Sequence, residues 1–111
     1  MTTVLPVNQR ASVKAMLVTD MDDQPPGAFE FYTARGRTDA GILFMCPCGC
    51  GSMFGFAVHS DAGAPTWTWD GNREAPTCTP SILIYQMEEA TGQRVGEHWH
   101  GFLTAGEFRS C

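Results

Sequence analysis

Three cysteines stand within five residues, at Cys46, Cys48 and Cys50, interleaved with Pro47 and Gly49 and followed by Gly51. Thiolates at this density suit a borderline-soft cation such as Zn²⁺. The glycines have a physical reason to be there. Wrapping a chain round one ion demands backbone angles that only glycine reaches cheaply. The N–H groups freed in such a turn can point at sulfur and spread its negative charge. Pro47 stiffens the approach and removes one competing donor. The spacing differs from the usual zinc knuckle, whose paired ligands stand further apart. Either all three thiols bind, or two bind and the third faces away. Three buried thiols acting only as small hydrophobes would leave the glycines unexplained.

A fourth ligand must come from elsewhere, and the candidates are His59, His98, His100, Cys78 and Cys111. His98 and His100 are two apart on an expected strand and so face one side. Cys78 lies in a β-prone run and reads as core. Cys111 is the last residue of the sequence, and His59 adjoins a Ser/Asp/Gly turn. The reading favours His98, with His100 next. A structural site of this type contributes about 10–16 kcal/mol of binding energy to folding, enough to decide whether a domain of this size folds.

A second constellation pairs Ser81 with His100. Ser81 follows Pro80 at a strand entrance, and a serine nucleophile needs a base within hydrogen-bond reach. A carboxylate or carbonyl must then orient that base; Glu97, Asp70 and Glu107 are the candidates, and spacing does not choose among them. Backbone N–H groups near Ser81 or the cysteine turn would serve the oxyanion. On spacing alone, a serine at a strand start is more often a turn or cap residue.

These residues need strands to carry them. Val13–Thr19 is β-prone, and Asp20 to Pro26 is a polar turn in which Pro25-Pro26 forbids helix. Phe29–Thr33 alternates bulky and polar residues and reads as a strand. Gly41–Met45 and Ser52–Val58 read as a hairpin with the cysteines at its tip. Ser60–Pro65 is a turn, Thr66–Trp69 a strand, Asp70-Gly71-Asn72 a turn, and Ser81–Tyr85 a strand. Met87–Gly96 is polar and loop-like with at most one helical turn. His98–Leu103 and Glu107–Arg109 form a closing hairpin around Thr104-Ala105-Gly106. The expected fold is mainly β: a small single-domain antiparallel sheet or barrel-like structure of seven or eight short strands over residues 1–111, stapled by one zinc site. The alternating aromatics, Trp67, Trp69, Trp99, Phe54, Phe56 and Phe102, read as core and cross-strand pairs.

The 111 residues carry a formal charge of −5 with no Lys/Arg run, which excludes a phosphate-tracking nucleic-acid surface. No apolar run approaches the ~20 residues of a membrane span. Met1 to Asn8 lacks the basic start and apolar core of a secretory signal. The expected location is therefore the cytoplasm, where a cysteine cluster argues for metal before disulfides.

The chain resembles the BubE-like family of small bacterial and phage proteins, formerly a domain of unknown function and often mislabelled "ammonia monooxygenase". The resemblance rests on Cys46-Pro-Cys-Gly-Cys-Gly51, Trp69-Asp-Gly-Asn-Arg-Glu-Ala-Pro-Thr77, Pro80-Ser81-Ile82 and His100-Gly-Phe-Leu-Thr-Ala-Gly-Glu-Phe108, and spans about residues 29–110. Some members sit in operons with ubiquitin-like, activating-enzyme-like and conjugating-enzyme-like genes. The resemblance implies a zinc-binding β fold. For the operon-linked branch it also implies a serine-type peptidase acting on ubiquitin-like proteins, with Ser81 as nucleophile and His100 as base. The chain is more similar to the phage-like branch. Relatives usually carry a cysteine just before the histidine matching His100; here Glu97, His98 and Trp99 fill those positions, and His98 is the residue able to take over as ligand. Oxygen-activating copper or iron does not suit a thiolate-rich site.

Two expectations follow, one an enzyme and one not. The first is a zinc-stabilised β protein with a Ser81/His100 hydrolase centre that cleaves peptide or isopeptide bonds of a ubiquitin-like or other protein substrate. The second is a non-catalytic zinc-binding interaction module of phage or bacterial origin, with an exposed apolar patch around Trp67 or Trp99. A catalytic zinc with an open position would require only three protein ligands.

Overall fold

A computed structural model describes residues 12–59 and 66–111, so the turn expected at Ser60–Pro65 lies outside the described residues. Nine strands follow in chain order: β1 (Ser12–Lys14), β2 (Met16–Leu17), β3 (Ala28–Ala34), β4 (Arg37–Met45), β5 (Met53–Ala57), β6 (Thr68–Trp69), β7 (Cys78–Met87), β8 (Arg94–Thr104) and β9 (Glu107–Ser110). No helix occurs among the described residues. One sheet runs β1-β9-β8-β7-β6 and the other β2-β3-β4-β5. All pairings are antiparallel except β2 with β3.

Two hairpins close through paired left-handed residues, the geometry that matches strand twist. Arg35 and Gly36 join β3 to β4 at φ 53° and 81°, and Ala105 and Gly106 join β8 to β9 at φ 48° and 77°.

The apolar faces of the two sheets meet on aromatic side chains. Phe44 of β4 stacks on Phe108 of β9 at 5.1 Å between ring centroids and reaches Trp99 of β8 at 6.5 Å. Phe29, Ile42, Leu103 and Cys78 are fully buried beside them. Burying each large apolar side chain contributes about 1.5–3 kcal/mol. Trp99 is 1% exposed, so the apolar patch expected around Trp67 or Trp99 is not centred there. Its indole N–H donates to Ser110 Oγ at 2.9 Å. Trp67 is half-buried against Phe56.

The segment Met87–Gly96 differs most from its sequence reading. It belongs to a long hairpin arm: Met87 pairs with Arg94 and Gln86 with Gly96. The tip closes through Glu88 N–H to Gln93 O at 2.9 Å and one helical-type turn, Gly92 N–H to Glu88 O at 2.7 Å. Both faces of this arm are exposed, so it carries none of the apolar alternation by which a half-buried strand is recognised.

Candidate functional site

Residues 46–52 form the tip of the β4–β5 hairpin. Cys46 N–H donates to Ser52 O at 2.9 Å and Gly49 N–H to Cys46 O at 3.1 Å. Gly49 and Gly51 adopt φ 90° and 82°, angles that a side chain would strain. This winding turns alternate residues inward, and Cys46 Sγ and Cys48 Sγ lie 3.3 Å apart. Ser52 N–H points at Cys50 Sγ at 3.4 Å.

The fourth donor arrives from the other sheet. His98 Nε2 lies 3.4 Å from Cys48 Sγ and 3.3 Å from Cys50 Sγ. The four donor atoms of Cys46, Cys48, Cys50 and His98 all fall within 4.8 Å of one another. Four ligands bonded tetrahedrally at zinc distances stand about 3.5–3.8 Å apart, so the donors sit at nearly the required spacing. Three sulfurs and one imidazole form a possible metal site of a composition typical of zinc. His59, His100, Cys78 and Cys111 are not part of this group.

A local irregularity in β8 delivers His98. Ile84 pairs with Trp99 and Tyr85 with Glu97, so the register shifts at this point and His98 is the extra residue of β8. Such a bulge re-aims the side chains around it. The ring of Phe54 packs 5.7 Å from the imidazole.

The sulfurs differ in their electrostatics. Burial pushes the Cys46 and Cys48 thiols up from their ordinary value of 9.0. Partial burial also opposes ionisation of Cys50, but hydrogen bonds with Ser52, His98 and Cys48 outweigh it and bring its pKa down to about 6. Cys78, deep in the core, is pushed up to about 12 by burial and by the nearby charge of Asp70.

Two residues beyond His98 on the same strand, His100 Nε2 lies 2.9 Å from Ser81 Oγ. Ser81 belongs to β7, where the ladder to β8 is interrupted between Cys78 and Ile82. Pro80 offers no N–H in that stretch, which fits the lapse in pairing. Trp67 Nε1–H donates to Ser81 O at 3.2 Å and ties the serine backbone down. Leu83, two residues on, opposes His100 directly across the ladder.

Of the three carboxylates open to the role of orienter, Glu97 faces His100, with Oε1 3.8 Å from Nδ1. Asp70 accepts the N–H groups of Asn72 and Thr77 within its own loop. Glu107 meets Arg109 at 3.0 Å. The His98 bulge explains the choice. Residues three apart on a regular strand face opposite sides, and the extra residue between Glu97 and Trp99 restores a common side. Cys111 is exposed, and its N–H donates to His100 O at 2.9 Å. Sequence reasoning did not single out Gln86, whose Oε1 lies 3.3 Å from His98 Nδ1. Only the β7–β8 register brings it there, and nothing in its own neighbourhood signals it.

No curated protein and no solved structure matches the chain. The family model described as "Bacterial ubiquitination-like system serine protease (BubE)" matches residues 17–111. The match takes in the cysteine turn, Ser81 and the whole β7–β8 hairpin, and the chain belongs to the BubE family.

Proposed function

We propose that this protein is a zinc-stapled serine hydrolase that cleaves peptide or isopeptide bonds at the end of a ubiquitin-like protein in the cytoplasm. The 2.9 Å contact between Ser81 Oγ and His100 Nε2, on the open side of a β-sheet, carries the reading. The family description supports a protease in a ubiquitination-like system.

In the first half-reaction Ser81 Oγ attacks the scissile carbonyl carbon while its proton passes to His100 Nε2. His100 then returns that proton to the leaving amine nitrogen as the C–N bond breaks, and an acyl-serine remains. Water then attacks the acyl carbon and gives a proton to His100, which returns it to Ser81 Oγ as the ester C–O bond breaks, releasing the acid and the free serine. The carboxylate of Glu97 faces Nδ1 and favours the tautomer whose Nε2 is free to accept. The oxyanion would meet backbone N–H groups beside Ser81, where the β7–β8 ladder is interrupted. Cys46, Cys48, Cys50 and His98 would hold zinc as four protein ligands, the closed arrangement of a structural site. Zinc so bound supplies a crosslink between the β4–β5 tip and β8, and no step of the reaction passes through it.

The test is cleavage of a ubiquitin-like protein fused through its C-terminus to a reporter. Ser81→Ala should reduce cleavage at least about 10³-fold, the scale on which triad nucleophiles act, with one zinc per chain retained. Undiminished cleavage in the variant would overturn the serine mechanism. A zinc-loaded native chain that neither cleaves nor takes a fluorophosphonate label at Ser81 would be the non-catalytic interaction module.

A further inference from the structure

We infer that Gln86 is a positioning residue for the metal centre: its side-chain carbonyl fixes the His98 imidazole with Nε2 turned to the three sulfurs. This rests on the reading of the cluster as a metal site. An imidazole binds a cation through an unprotonated nitrogen, so a histidine bound through Nε2 carries its proton on Nδ1. That N–H needs an acceptor, and such outer partners set both tautomer and ring orientation. Gln86 Oε1 lies 3.3 Å from His98 Nδ1, on the side of the ring away from Cys48 and Cys50.

The register makes this placement a product of the fold. Gln86 pairs with Gly96, and the extra residue in β8 is His98 itself. Gly96 and His98 are two apart on β8 and share a face, so Gln86, opposite Gly96, lies on the face that carries His98. Gly96 adds no side chain opposite Gln86, and a Cβ built there would meet nothing within 4 Å, so the amide has room to reach the ring. The chemistry of an amide also fits. Three thiolates and one dication already leave a net negative site, and a neutral carbonyl accepts the Nδ1 proton without adding to that charge. Phe54 packs near the imidazole at 5.7 Å and limits the ring's swing.

The experiment compares the native chain with Gln86→Ala and Gln86→Glu. Zinc affinity is measured by competition with a chromophoric chelator, and the electronic spectrum is recorded with Co²⁺ in place of zinc. Gln86→Ala should weaken zinc binding roughly 10–100-fold, the usual cost of losing such a partner, and shift the Co²⁺ d–d bands. Gln86→Glu, which keeps an acceptor in place, should recover most of the affinity and a near-native spectrum. A residue serving only the hairpin arm would leave the Co²⁺ spectrum unmoved and would gain nothing from glutamate. Native affinity and spectrum in Gln86→Ala, or equal losses in both variants, would overturn the assignment and leave the metal reading intact. A native chain that binds neither ion would overturn both.

Discussion

His98 and His100 lie two residues apart on β8 and are both half-buried, yet each answers to a different part of the chain. His98 meets a loop carried by the opposite sheet, with its partners Cys48 and Cys50 about fifty residues away. His100 meets Ser81 on the adjacent strand of its own sheet. The first contact depends on how two sheets dock. The second depends on the register of a single ladder, which backbone hydrogen bonds already enforce. The difference teaches an order of dependence: damage to the inter-sheet cluster should reach the Ser81 pair, while damage to the pair should stop there.

Removing the proposed metal tests this hardest. A site of this kind contributes about 10–16 kcal/mol, and a small domain has only about 5–15 kcal/mol of net stability. Stripping the chain with a strong chelator should therefore abolish its near-UV circular dichroism and its cooperative melting transition at 25 °C, along with hydrolysis. The aromatic contacts of Phe44 with Phe108 and Trp99 also join the sheets. Retention of the melting transition after chelation would mean that these contacts hold the fold alone, and the order of dependence would fail.

The same contrast decides what the sequence discloses. Cys46, Cys48 and Cys50 crowd into five residues with glycines that only a wrapped turn explains, so the cluster is legible from local chemistry. Strand alternation offered His98 and His100 as a pair, and the missing cysteine beside His100 pointed to His98 of the two. That Glu97, rather than Asp70 or Glu107, faces His100 was not legible. Three-residue spacing on a strand argues against Glu97, and only the bulge at His98 reverses that argument. Gln86 was hidden for a related reason. It sits on a hairpin arm exposed on both faces, where no apolar pattern fixes the strand or its register. The mainly β character, by contrast, follows from many short alternating runs and frequent turns, and these survive any uncertainty about register.

Exchanging damage between the two histidines sharpens the comparison. His98→Ala should lose tight zinc and, through the fold, hydrolysis as well. His100→Ala should keep one zinc per chain and the native melting temperature within about 2 °C, while kcat/KM falls about 10²–10⁴-fold for loss of a general base. Zinc content, melting and kinetics on the same preparations separate the two. If His100→Ala also sheds zinc, His100 serves the metal and the division of labour along β8 is wrong.

The smallest effect concerns how firmly His100, the proposed base, is held. In buried triads the carboxylate that orients the histidine is desolvated and hydrogen-bonded. Here Glu97 Oε1 stands 3.8 Å from His100 Nδ1, beyond hydrogen-bond length, and its side chain is 60% exposed. Water screens such a contact, and exposed ion pairs contribute about 0.2–1 kcal/mol. Glu97→Gln should therefore lower kcat by no more than about fivefold, since 1.4 kcal/mol is needed for tenfold. KM and zinc content should not change. A loss of a hundredfold or more would show that Glu97 closes onto His100 when substrate covers this face of the sheet, excluding the water that weakens the contact in the free protein. The magnitude of this one variant thus distinguishes a base oriented chiefly by the β7–β8 ladder from one oriented by its carboxylate.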